Sequence, residues 1–206
     1  MASVTVSNIN SETTFTSTYN NVTDTCTVTV SNIIYQPVLD GTETWYKINS
    51  SYTPTYSSVS GVNQVCDACG YLSDGWDNTI NWKLTFEYNP KYTGSAVYNG
   101  AIVTFNNVTA RDRNSLQFWG YLIFSHQGTG STQVTNSLLN DTWNSIEVVK
   151  NGSSLTITVN GTTYTVTNTD FSDSSRTRAV IGLDRTGSQS TTNYNSCIRN
   201  IKVEAL

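Results

Sequence analysis

Three observations predict an all-β chain folded as a two-layer antiparallel β-sandwich. Apolar and polar residues alternate in several stretches, most plainly in Ile80–Tyr88 and from Asp141 to Tyr164. Strict alternation sends every second side chain to one face, which is the pattern of a half-buried strand. Thr, Tyr and Val fill these runs while Asn, Ser and Gly sit between them, the residues of pleated surfaces and of turns respectively. No amphipathic helical pattern longer than a turn or two interrupts them.

Taken in order, Thr14–Val22 and Cys26–Ser31 read as two strands around a short turn. Ile33–Leu39 and Thr44–Lys47 are weaker strand candidates. The stretch from Ser50 to Asp77 is the longest irregular segment, and long loops often carry binding residues. Trp82, Leu84, Phe86 and Tyr88 then share one strand face. Ala96–Phe105 and Ser115–Ser125 follow, and Gln117–Phe124 is apolar on both faces, as a central strand would be. In the run DTWNSIEVVKNGSSLTITVNGTTY, Asn151-Gly152 joins two strands and Asn160-Gly161 turns the chain again, because Asn-Gly takes the positive φ values of a hairpin turn. Trp143 is read as opening the inward-facing alternation and is assigned to the core. Trp82 and Trp119 belong to the core or to the concave sheet.

This hairpin resembles the laminin-G-like branch of the concanavalin A-like lectin/glucanase superfamily. Arg178–Leu183 and Cys197–Glu204 look like that family's last two strands. The resemblance covers residues 33–206 and implies a jelly-roll sandwich. Residues 1–32 look like the last strands of a bacterial Ig-like repeat; the alternative is that they begin the sandwich itself. An Ig-like ending would make this the tip of a longer stalked protein.

Composition excludes some partners. The 206 residues carry a net charge of −4, with 11 scattered basic residues. Phosphate neutralisation needs clustered Lys and Arg, so nucleic acid is not expected. No apolar run reaches membrane-spanning length, and the Met-Ala-Ser start is not that of a signal peptide. Export would then rest on something else, or on release as part of a particle. Six sequons, at Asn21, Asn49, Asn107, Asn140, Asn151 and Asn160, fit an extracellular chain without establishing glycosylation.

Four cysteines leave three connectivities open. Cys66-x-x-Cys69 reads as a loop disulfide, with zinc as a poorer alternative for want of a second such pair. Cys26 and Cys197 either pair across the chain ends or stay as buried thiols.

Catalytic patterns are absent from the sequence. Retaining glycoside hydrolysis needs two carboxylates about 5 Å apart; the resemblance to β-glucanases implies that they alternate along one strand as E-x-D-x-E, and no such string occurs. Ser125-His126-Gln127 resembles one element of the alginate-lyase set, without its Arg and Tyr partners. A nucleophile elbow is also missing. The expected class is therefore binding rather than catalysis.

Five Trp and 12 Tyr provide aromatic faces for sugar rings. Trp76 sits between Asp74-Gly75 and Asp77, where no strand pattern explains it. It is either a loop anchor or a ligand-stacking ring, and Tyr71, Asp74, Asp77, Asn78, Asn193 and Tyr194 are the candidate companions. The family resemblance implies calcium as the cofactor, with Asp67, Asp74 and Asp77 as ligands and Asp40, Glu43 and Asp184 as further candidates. The alternative is solvated turn aspartates. The expected function is an extracellular, cell-surface or virion domain that binds a cell-surface glycan or glycoprotein. It would work at the tip of an adhesin or tail fibre, alone or as part of a fibre oligomer. A polysaccharide-active enzyme and a purely structural decoration domain are the alternatives.

Overall fold

The computed structural model describes residues 13–19, 22–28, 32–47, 53–66, 70–91, 100–105, 115–118, 122–126, 130–134, 138–166, 177–183 and 196–206. The chain divides into two compact units, Met1–Ile33 and Ile34–Leu206. In the first, β1 (Thr13–Tyr19) and β2 (Val22–Val28) form an antiparallel hairpin that reverses between Tyr19 and Val22.

The remaining described strands are short and numerous. They begin with β3 (Ile33–Tyr35), β4 (Trp45–Lys47), β5 (Thr55–Val59), β6 (Val62–Cys66), β7 (Gly70–Leu72) and β8 (Trp76–Asp77). Next come β9 (Trp82–Asn89), β10 (Gly100–Thr104), β11 (Ser115–Phe118), β12 (Leu122–His126) and β13 (Gly130–Gln133). The chain closes through β14 (Asn144–Asn151), β15 (Ser154–Val159), β16 (Thr162–Val166), β17 (Arg178–Leu183) and β18 (Cys197–Ala205). They build two antiparallel sheets. One runs β16-β15-β14-β9-β18-β6-β5, with β3 also on β18; the other runs β13-β12-β11-β10-β17-β7-β4, with β8 also on β17. All described secondary structure is β, as the alternation predicts. No described helix is long and apolar enough to cross a membrane.

The core lies between the two sheets. Trp82, Leu84, Phe86, Ile146, Val148, Leu155, Ile157 and Val203 face Phe105, Leu116, Phe118, Phe124 and Ile181, all 2% exposed or less. Burying each large apolar side chain stabilises the fold by roughly 1.5–3 kcal/mol. Trp82 stacks on Phe105 with centroids 5.9 Å apart, and Phe105 in turn meets Phe124 at 5.7 Å.

Several expectations need correcting. Gln117–Phe124 holds two paired strands rather than one central strand: Phe118 pairs with Leu122, so the chain has reversed between them. Apolar residues on both faces fit either reading, because both β11 and β12 are buried.

The described residues between Ser50 and Asp77 include four strands. Their first hairpin turns through Ser60 and Gly61, at φ 53° and 79°. Those strands escape a periodicity reading because β5 is a mostly exposed edge and β7 and β8 are two or three residues long.

The Asn151-Gly152 turn shifts by one residue. Asn151 pairs with Ser154, so Gly152 and Ser153 are the turn, and Gly152 alone takes positive φ, 58°. Asn160-Gly161 occupies its turn as expected, at φ 47° and 85°.

Cys66 is bonded to Cys197, which overturns both expected pairings. The two stand directly opposite on β6 and β18, with Cα atoms 4.1 Å apart. That strand pairing, invisible in the spacing C-x-x-C, selects the bond. Cys69 and the side chain of Cys26 lie outside the described residues.

Candidate functional site

The segment from Tyr71 to Asn78 is structural in the described molecule. Trp76 is 4% exposed, with its ring 5.4 Å from Trp82 in an edge contact and 5.8 Å from Tyr35. It is the loop anchor and offers no face to a sugar. Gly75, at φ 53°, makes this possible: a Cβ there would lie 2.3 Å from the Ala179 carbonyl oxygen.

Tyr71 is fully buried on β7. Asn78 is buried too; its Oδ1 accepts from Trp82 Nε1 at 3.1 Å and its Nδ2 donates to the Phe105 carbonyl at 3.4 Å. Asp74 and Asp77 are exposed. Asp77 Oδ1 accepts from the Thr79 amide at 2.7 Å and from its hydroxyl at 2.6 Å, and those two bonds lower its pKa. The structure thus separates these residues into core and turn rather than gathering them.

Among the described residues, no three of His, Cys, Asp and Glu come together as a metal site. Asp67, Asp184, Asn193 and Tyr194 lie outside those residues. Asp40 and Glu43 staple their own loop. Asp40 Oδ1 takes the Thr42 amide and hydroxyl, while Glu43 takes the amides of Leu39, Asp40 and Gly41.

That stapled loop forms one wall of a cleft of about 340 Å³. Gln36, Val38 and Leu39 stand on one side, Val62 and Asn63 of the β5–β6 hairpin on the other, and Asn200 and Ile201 at the base. Val38 is 62% exposed at the rim. Asn63 Nδ2 bridges the two walls by donating to the Val38 carbonyl at 3.1 Å.

Backbone conformation supports the shape. Leu39 holds φ 58°, rare for a bulky residue, with its side chain 2% exposed in the core. Asn200 holds φ 52° in a β-bulge of β18, where the register with β9 slips between Arg199 and Lys202. Asn tolerates this left-handed conformation better than most residues. A bulge re-aims side chains and is a common device beside binding sites.

Asn200 also ties the cleft to the outer surface of the same sheet. Its Nδ2 donates to Glu87 Oε2 at 2.7 Å, and Arg199 Nε donates to the same oxygen at 2.6 Å. The Arg199 guanidinium lies over the Trp143 ring, 4.0 Å from its centroid. Trp143 is therefore on the outer face, which corrects its assignment to the core. The reason is phase: Ile146, Val148 and Lys150 face inward from even positions, and Trp143 falls with Ser145 and Glu147.

No protein-family model matches the chain, and no curated protein does. Among solved structures it is similar to the carbohydrate recognition domain of Emp47p, with a TM-score of 0.51 and 12% identity over 82% of this chain and 93% of that one. The fold is a concanavalin A-like jelly roll. A mutant sialidase of Trypanosoma rangeli displaying trans-sialidase activity matches at a TM-score of 0.51 and 9% identity, over 75% of this chain and 27% of that one. The family 7 alginate lyase AlgAT5 matches at 0.48 and 13%, over 84% and 88%. At such identities the likeness shows the jelly roll alone, a scaffold used by glycan-binding domains and glycan-active enzymes alike.

Proposed function

We propose that this chain is a glycan-binding domain and that the Asn200 cleft is its binding site. The observation that carries the reading is the lining of the cleft. Gln36, Asn63 and Asn200 supply amides beside the apolar Val38, Val62 and Ile201. Amide groups both donate and accept, which matches sugar hydroxyls, and apolar side chains match the C–H faces of the ring. The likeness to a carbohydrate recognition domain lends support at the level of the scaffold.

The reading is binding without catalysis. Glu87, the acid beside the cleft, has Oε2 committed to two donors and stands in a structural ion pair. The Cys66–Cys197 bond favours an oxidising, extracellular setting, at a cell surface or on a virion. Attachment of an adhesin or fibre tip to a surface glycan is the role that fits these features together.

Titration of Asn200→Gly against a panel of neutral and acidic glycans tests the site. Glycine keeps the left-handed backbone and removes the amide. Binding at least tenfold weaker, with an unchanged melting temperature, is the expected result. Undiminished binding would remove Asn200 from the site.

A further inference from the structure

Glu87 and Arg199 are the centre of a longer row. In-register pairing sets Ser145, Glu87, Arg199, Gln64 and Ser57 side by side on β14, β9, β18, β6 and β5. All five are half-buried or exposed, and Phe86, Tyr88, Ile146, Val65 and Ile198 beside them are buried in the core. Strands lie about 4.8 Å apart, so the row extends roughly 19 Å across the sheet. Asn200, which lines the cleft and donates to Glu87 Oε2 on the outer face, joins the row to the cleft.

The row is already wired. Gln64 Nε2 donates to Ser57 Oγ at 3.0 Å, and Arg199 Nε is committed to Glu87. Among the described residues, Glu87 Oε1 and Gln64 Oε1 remain as acceptors and the Arg199 Nη groups as donors. Trp143, whose ring lies under the Arg199 guanidinium, adds an aromatic surface beside the centre of the row.

We infer that this row binds an extended neutral oligosaccharide laid across the strands and continuous with the cleft. This rests on the glycan-binding reading and names its ligand class. Arg199 and Glu87 cancel each other's charge, so the row offers no unpaired cation to a uronate, sialate or sulfate. It offers interspersed donors and acceptors, which is what successive hydroxyls, each both donor and acceptor, require. The length suits several sugar units rather than one.

The test is calorimetric titration of the intact chain with two series of oligosaccharides, one to six units long, one neutral and one uronate-containing. Affinity for the neutral series should rise at least tenfold between two and four units and then level off. Trp143→Ala should remove that rise while leaving the affinity for the shortest binding sugar within twofold. The length series on the unaltered chain stands even if the variant folds poorly. Length-independent neutral binding, or tighter binding of the acidic series, overturns the row and leaves the cleft intact as a glycan site. Failure of both series to bind overturns the glycan-binding reading and the row with it.

Discussion

At Trp76, packing and hydrogen bonding pull in opposite directions. The ring fills the space between Tyr35 and Trp82, yet its buried indole N–H has no hydrogen-bond partner. A buried unsatisfied donor costs about 1–3 kcal/mol, so Trp76→Phe, which keeps most of the ring and removes the donor, should lie close to neutral. Trp76→Ala should cost about 3–5 kcal/mol, the usual loss for a buried aromatic. Urea unfolding measures both, and glycan affinity of the Phe variant should not change.

Asp77 gives a pH-dependent prediction. Its hydrogen bonds from Thr79 hold the folded carboxyl below its ordinary value. A depressed carboxyl stabilises the fold above the unfolded pKa, about 4, and that contribution is lost as the pH falls through the lower folded value. Thr79→Val removes the hydroxyl bond. Its unfolding midpoint should fall below that of the parent at pH 7, with the two converging as the pH falls through the lowered folded value.

Legibility at this scale depended on phase and burial. That Trp82 shares a face with Leu84, Phe86 and Tyr88 was readable from the alternation of β9, and its burial decides for the core what the pattern left open. Trp143 was misread by one position, and with it went the outward surface on which it pairs with Arg199. Trp76 lies on a two-residue strand, too short for any period to reveal which way it faces.

At the scale of elements, a disulfide and a close strand approach each tie neighbouring strands together. Cys66 and Cys197 are 131 residues apart, and a cross-link closing so long a loop restricts the unfolded chain strongly. Cys66→Ser should therefore cost about 3–4 kcal/mol in unfolding free energy, measured in urea against the oxidised parent.

Gly182 lies where β17 meets β7. A Cβ there would stand 2.2 Å from the Gly70 carbonyl oxygen and 2.6 Å from Tyr71 Cα, both backbone atoms. Gly182→Ala should destabilise by about 1–3 kcal/mol through overpacking; a melting temperature equal to the parent's would contradict this pairing.

Hairpins with their own turn residues were legible: β14, β15 and β16 follow the local alternation, with Asn-Gly at the β15–β16 turn and the β14–β15 turn one residue later than expected. The central neighbours of β18 were not. They are β9 and β6, from more than 100 residues earlier, and nothing local announces that pairing or the disulfide it allows.

At the scale of the whole molecule, the sandwich class was legible because alternation and turn chemistry alone demand sheets with one buried face. The cleft was not. Its walls come from residues 36–39, 62–63 and 200–201, which meet only after β6 and β18 pair. Of its two left-handed positions, Leu39 carries no signature of that conformation in the sequence, and Asn200 stands within a strand pattern.

The central claim is that glycan recognition occurs at this cleft and not at the Tyr71–Asn78 segment. Backbone amide chemical-shift mapping during titration with a neutral tetrasaccharide tests it most directly. Shifts concentrated at Val38, Asn63, Arg199, Asn200 and Ile201, with Tyr71, Trp76 and Asn78 still, are the predicted result. Shifts concentrated at Asp74–Asn78, with Asn63 and Asn200 unmoved, would contradict it.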